Sequence, residues 1–246
     1  MKTAIGLLVG ALVLTLGVSR AEATSFDFTS LNGGVEGSLG TSTVTTGGVT
    51  AVGFQNLGAG YVTTSLNLWL RNTPGDRGLG ICTSTEAASG GGCVAQGGDY
   101  NELSNELTPE LIRLERNVAT TTGWTSVFIS SLDNNTSGPI ETGTLYWSNS
   151  ADPNAAVLLA GFAFTNAVFG GAFEGNLIGV APAAAASAQY LFFRPGPTGN
   201  NNDYLVWKGV TTDVIPEPAS LLLLGTGLLG AGARARRWRQ QRSRAQ

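Results

Sequence analysis

The sequence predicts an all-β protein, an antiparallel β-sandwich of jelly-roll-like form. Three observations lead there. Ser, Thr, Asn and Gly crowd the middle of the 246-residue chain, while Lys, Glu and Gln are sparse, a balance that favours strands and turns over helices. Short alternating or β-branched runs recur along that middle. Turn-forming residues close each run, for example Asn32-Gly33-Gly34, Thr73-Pro74-Gly75-Asp76, Asp133-Asn134-Asn135 and 196–200. Many short strands at such spacing pack as two antiparallel sheets.

In chain order, strands are expected over 25–30, 49–54, 61–70, 111–118, 124–132, 142–148, 155–164, 172–178, 188–193 and 204–210. Alternation is plainest in Leu66-Asn67-Leu68-Trp69-Leu70, whereas Val127-Phe128-Ile129 is too apolar to assign a face. Residues 155–167 could also form a helix, given their alanines and leucine pair, and 183–186 read as a loop or strand entrance. Gly75-Asp76-Arg77-Gly78-Leu79-Gly80 has spaced glycines but no following helix, so it reads as a turn and not as a phosphate-binding loop. Neither an internal repeat nor a linker divides residues 24–213.

Residues 1–23 read as a secretory signal peptide. Lys2 supplies the positive start and residues 4–18 are uncharged. Ala21-Glu22-Ala23 places small residues at both recognition positions before Thr24; an uncut membrane anchor is the alternative. Between Thr24 and Ile215 there are fifteen acidic residues against six basic ones. So acidic a body argues against nucleic acid as a partner, since phosphate binding needs a basic surface.

Residues 214–246 hold three features in order: Pro216-Glu217-Pro218, an uncharged stretch over 219–233, and arginines at Arg234, Arg236, Arg237, Arg239, Arg242 and Arg244. The stretch is 15 residues, somewhat under the roughly 17–25 of a full membrane-spanning helix. A short transmembrane helix fits it, by thinning the bilayer locally. The arginines then act as the topological stop on the cytoplasmic side. This ending resembles the PEP-CTERM sorting domain of Gram-negative bacteria. The resemblance implies an exosortase as partner, cutting near Pro216, Glu217 and Pro218, with the inner membrane as anchor before processing. It further implies a cell-surface or extracellular-matrix protein of exopolysaccharide, biofilm or floc. No enzymatic activity of its own is expected. An ordinary single-pass anchor is the alternative and gives a similar location.

Cys82 and Cys93 are the two cysteines. In an oxidising compartment a pair so close in sequence is most simply a disulfide, contributing about 3 kcal/mol by loop-closure entropy. Two free thiols are the alternative.

Histidine is absent, which excludes Ser-His-Asp and Cys-His nucleophile systems and His-based zinc sites. A secreted glycosidase needs only two carboxyls, and sequence spacing selects no pair. The densest polar cluster runs over 99–110. Asp99, Glu102, Asn105 and Glu106 within it could collect oxygen ligands for calcium, the one cofactor considered; the alternative is a solvated acidic loop. Trp69, Trp124, Trp147 and Trp207 are candidates for stacking on sugars in a carbohydrate-binding module, against the ordinary role of core residues. The body also resembles β-sandwich regions of other PEP-CTERM proteins. Its Gly78-Leu79-Gly80, its acidic stretch over 101–106 and its run over 110–114 follow in the same order.

Overall fold

The computed structural model describes residues 23–88, 93, 101–105, 107–132, 140–155, 161–169, 174–197, 203–213 and 227. Ala23–Asp213 is one compact unit. Met1–Glu22 with Val214–Gln246 forms the other, in which Gly227 is the described residue.

The described residues of the body form β1 (Ala23–Asp27), β2 (Gly37–Ser38), β3 (Thr43–Thr46), β4 (Val49–Asn56), β5 (Tyr61–Val62), β6 (Leu66–Thr73), β7 (Asp76–Thr83), β8 (Leu103–Ser104) and β9 (Glu110–Arg116). They continue with β10 (Thr121–Ser130), β11 (Thr142–Ser148), β12 (Gly161–Thr165), β13 (Gly175–Asn176), β14 (Tyr190–Pro195) and β15 (Asp203–Asp213). One sheet has the order β13-β10-β15-β7-β6-β2, with β1 and β8 also paired to β15. The other runs β12-β11-β14-β9-β4-β3, with β5 on β4.

Eight strands carry the topology. β7, β9, β10 and β11 pair antiparallel, in turn, with β15, β14, β13 and β12. A folded-back ribbon is thereby rolled into two sheets, in the strand order of a jelly roll. The hairpins β6–β7 and β3–β4 extend the two sheets.

Both sheets contribute to one buried core. Leu68, Leu79, Ile81, Val127, Ile129 and Val206 come from the first sheet, and Ala51, Ile112, Leu114, Leu145, Leu191 and Phe193 from the second. The outer face of the second sheet is covered too: Val52, Phe54, Leu111, Tyr190 and Phe192 form a separate buried cluster there. Arg113 lays its guanidinium over Phe54 and Tyr190, 5.5 and 5.3 Å from the ring centroids, and donates to the Ala151 carbonyl at 2.6 Å.

Several expectations shift at their edges. The run over 61–70 is interrupted at Ser65, whose φ of 59° breaks the extended backbone, leaving β5 and β6. Within 155–167 the described residues form strand β12 and then a 3-10 turn, Asn166–Phe169, not a helix. Among the described residues of the run over 172–178, β13 is followed by the short helix Leu177–Val180. Alanines 183–186 begin the helix Ala183–Ser187.

The reading of Gly75–Gly80 as a turn is corrected: β7 starts at Asp76 and includes Gly78 and Gly80. These glycines serve close backbone approach. A Cβ at Gly78 would stand 2.5 Å from the Val206 carbonyl oxygen, and one at Gly80 would stand 2.5 Å from Glu102 Cα, so any side chain would push a neighbouring segment away.

Candidate functional site

Asn101–Asn105 and the head of β9 converge on β7 at Gly78–Ile81. Ile81 donates its N–H to the Glu102 carbonyl at 3.2 Å, so Asn101–Ser104 lies along the strand, with β8 paired to the start of β15. Glu110, at the head of β9, accepts from the Ser104 N–H at 2.9 Å.

Two groups of buried ionisable side chains sit in this region. In the first, the Arg71 guanidinium on β6 pairs with Glu102 and with Asp76 at 3.1 Å. The Ser131 hydroxyl lies 3.0 Å from Asp76 Oδ1 and 3.1 Å from Glu102 Oε1. Burial pushes the Glu102 carboxyl well above the ordinary carboxylate range, and nearby Asp203 raises it further against the opposing pull of Arg71. Desolvation therefore outweighs the ion pair for this group.

In the second, Thr83 and Glu86 form a capping box for the helix Ser84–Ala88. Glu86 Oε2 accepts from the Thr83 N–H at 2.8 Å and lies 3.0 Å from its hydroxyl, while the Glu86 N–H donates to Thr83 Oγ1 at 3.2 Å. The Glu110 carboxyl is pushed well up, first by burial and then by the neighbouring Glu86 carboxyl. A buried acid pair of this kind retains a proton where isolated carboxylates ionise. The adjacent Cys82 and Cys93 form a disulfide, with their Cα atoms 5.8 Å apart.

These raised carboxyls set the sign of the pH dependence. In the unfolded chain a Glu ionises near pH 4.3, whereas Glu102 and Glu110 hold their protons higher in the fold. Their contribution to stability is complete below about pH 4.3 and is lost as pH rises through the folded values. The expected result is a melting temperature that falls from pH 4.5 to pH 8, with a shallower fall in Glu110→Gln. Identical slopes for variant and wild type would contradict the assignment.

The calcium candidates fare unevenly. Glu102 is held by Arg71, and the Asn105 amide donates to the Gly196 carbonyl. Asp99 and Glu106 lie outside the described residues. Among the described residues no group of three or more Cys, Asp and Glu is placed to hold a metal ion. Nor do the described polar residues of this stretch form a solvated acidic loop, because Asn101, Glu102, Ser104, Asn105, Thr108 and Glu110 are all buried.

The tryptophans are mostly interior. Trp124 is in the core and donates its indole N–H to the Ala188 carbonyl at 2.9 Å. Trp69 and Trp207 are buried, and the Lys208 ammonium lies 3.5 Å from the Trp207 ring centroid. Trp147 is partly buried against the core. Sugar stacking on Trp69, Trp124 or Trp207 would require the chain covering them to move.

Sequence reasoning missed Arg116, which is buried and donates to the carbonyls of Ala188, Thr121 and Ser187 at 2.9, 2.7 and 3.0 Å. It also missed the Thr83–Glu86 capping box, although Thr83-Ser84-Thr85-Glu86 spells its pattern.

Pro216, Glu217, Pro218 and the arginines Arg234, Arg236, Arg237 and Arg239 lie outside the described residues, as does 219–233 apart from Gly227. Among the described residues no helix is long and apolar enough to cross a membrane.

What the fold and chain order define is a β-sandwich whose last strand runs directly into a terminal tripartite segment. The family model of the PEP-CTERM protein-sorting motif matches that segment over residues 214–237. The chain therefore carries a PEP-CTERM sorting motif, which indicates a secreted protein targeted to an exosortase. Neither the curated proteins nor the solved structures gave a match to it.

Proposed function

We propose that this chain is an exported, non-enzymatic surface or matrix protein, processed by an exosortase at Pro216-Glu217-Pro218 and lodged in exopolysaccharide, biofilm or floc. The observation that carries the reading is the position of the sorting motif. The match begins at residue 214, and β15 ends at Asp213, so the signal follows the body at once.

On this reading the signal peptide takes the chain out of the cytoplasm. The apolar stretch over 219–233 holds the precursor in the inner membrane, and the arginines keep the tail inside. The exosortase then separates body from tail.

A structural role for the body draws support from its interior. Histidine is absent, and Arg71, Glu86, Glu102 and Glu110 beside β7 are buried and held by protein partners. Intact-mass analysis of the protein recovered from its host tests the proposal: the expected species lacks residues 1–23 and the arginine tail.

A further inference from the structure

The body's first strand and its last meet at one end of a sheet. β1 lies antiparallel to β15, with Ala23 opposite Thr212 and Thr24 opposite Thr211. The Thr24 hydroxyl reaches the Asp213 carboxylate, 2.9 Å from Oδ1 and 3.1 Å from Oδ2. Thr211 donates its hydroxyl to the Thr24 carbonyl at 3.3 Å. Among the described residues Asp213 has no ion-pair partner. On the flanking strand β10 the end of β15 faces Thr121, Gly123 and Trp124, none of them charged. The other charged residues of β1 and its β15 partners, Asp27 and Lys208, stand opposite each other at the far end of the pairing.

We propose that Asp213 is the counter-ion of the α-ammonium group that signal-peptide removal creates on Thr24. The inference rests on the export reading above. Hydrolysis breaks the Ala23–Thr24 amide bond. Water gives its hydroxyl to the Ala23 carbonyl carbon and a proton to the Thr24 nitrogen, which takes up a second proton at neutral pH. That nitrogen is three bonds from the hydroxyl already resting on Asp213, so the new positive charge appears beside a carboxylate that has no ion-pair partner among the described residues. An opposite charge at this range favours the protonated amine. The uncut precursor carries an uncharged amide there. The pairing therefore joins the end made by export to the strand that leads into the sorting motif.

The test uses protein recovered from the native host, as wild type and as Asp213→Asn. Asn keeps an acceptor for the Thr24 hydroxyl and removes only the charge. Once residues 1–23 are gone, the α-amine and Lys208 are the two amines of the chain. Brief acylation near neutral pH, read by mass spectrometry, therefore compares the terminus with an internal reference. The α-amine of the wild type is expected to react about threefold more slowly, relative to Lys208, than that of Asp213→Asn, which corresponds to about half a unit of pKa. Asp213→Glu should restore the slow reaction. Equal relative rates at a chain beginning with Thr24 would overturn the pairing and leave the export reading intact. A terminus elsewhere would overturn both.

Discussion

Arg71→Ala is expected to lower the stability of the body by about 3–5 kcal/mol, the usual consequence of removing one partner from a buried ion pair. Arg71 is the cation of its cluster, serving Glu102 and Asp76 together, and only 8% of its side chain is exposed. Without it, two acids face each other with Asp203 close by and no guanidinium between them. Glu102→Gln makes the informative contrast. Because burial already drives that carboxyl towards its neutral form, an uncharged isostere should cost far less. Chemical denaturation of the two variants beside wild type measures the difference. A loss below about 1 kcal/mol for Arg71→Ala would show that the cluster is not what holds Asn101–Ser104 against β7.

Phe26→Ala should be almost as damaging, at about 3–5 kcal/mol for a large aromatic removed from a packed core. Phe26 is 1% exposed. Its ring centroid lies 5.4 Å from that of Phe28 and 6.2 Å from that of Trp124, the latter edge-on at 79°. Two glycines shape its seat. A Cβ at Gly209 would come within 2.6 Å of Phe26 Cζ, and one at Gly47 within 2.8 Å of Phe26 Cα. The residue lies three positions from the expected cleavage point, so the start of the exported chain is part of the core and not a loose lead-in. Thermal unfolding of the variant gives the size of the effect, and a change under 1 kcal/mol would show that β1 contributes little.

Much of this architecture was legible in the sequence because strand and turn chemistry are local. The run over 142–148 coincides with β11, and turn residues mark most of the other boundaries. Faces were harder to read where both sides of a sheet are covered. Tyr190, Leu191, Phe192 and Phe193 are all buried, so alternation carries no signal there. Val127-Phe128-Ile129 hid its register similarly: Val127 and Ile129 enter the core, while Phe128 points away beneath the Lys208 ammonium, 5.5 Å from its ring centroid.

The glycines of β7 misled because sequence shows a flexible residue without showing what passes beside it. Only the fold brings the Val206 carbonyl and Glu102 backbone close enough to forbid a side chain. The surroundings of the acidic cluster were hidden for the same reason. Its density was plain, but partners such as Arg71 and Glu86 lie 31 and 24 residues from Glu102 and Glu110 respectively. The sorting segment is the opposite case, since motif, apolar stretch and basic tail are read one after another along the chain.

The most direct test of the central claim is the intact mass of the protein from its native host, with a Glu217→Ala variant beside it. The account predicts a wild-type species that begins at Thr24 and ends near Pro218, and a variant that keeps its tail. A wild-type species that retains the arginine tail, as the variant does, would contradict exosortase processing at this motif.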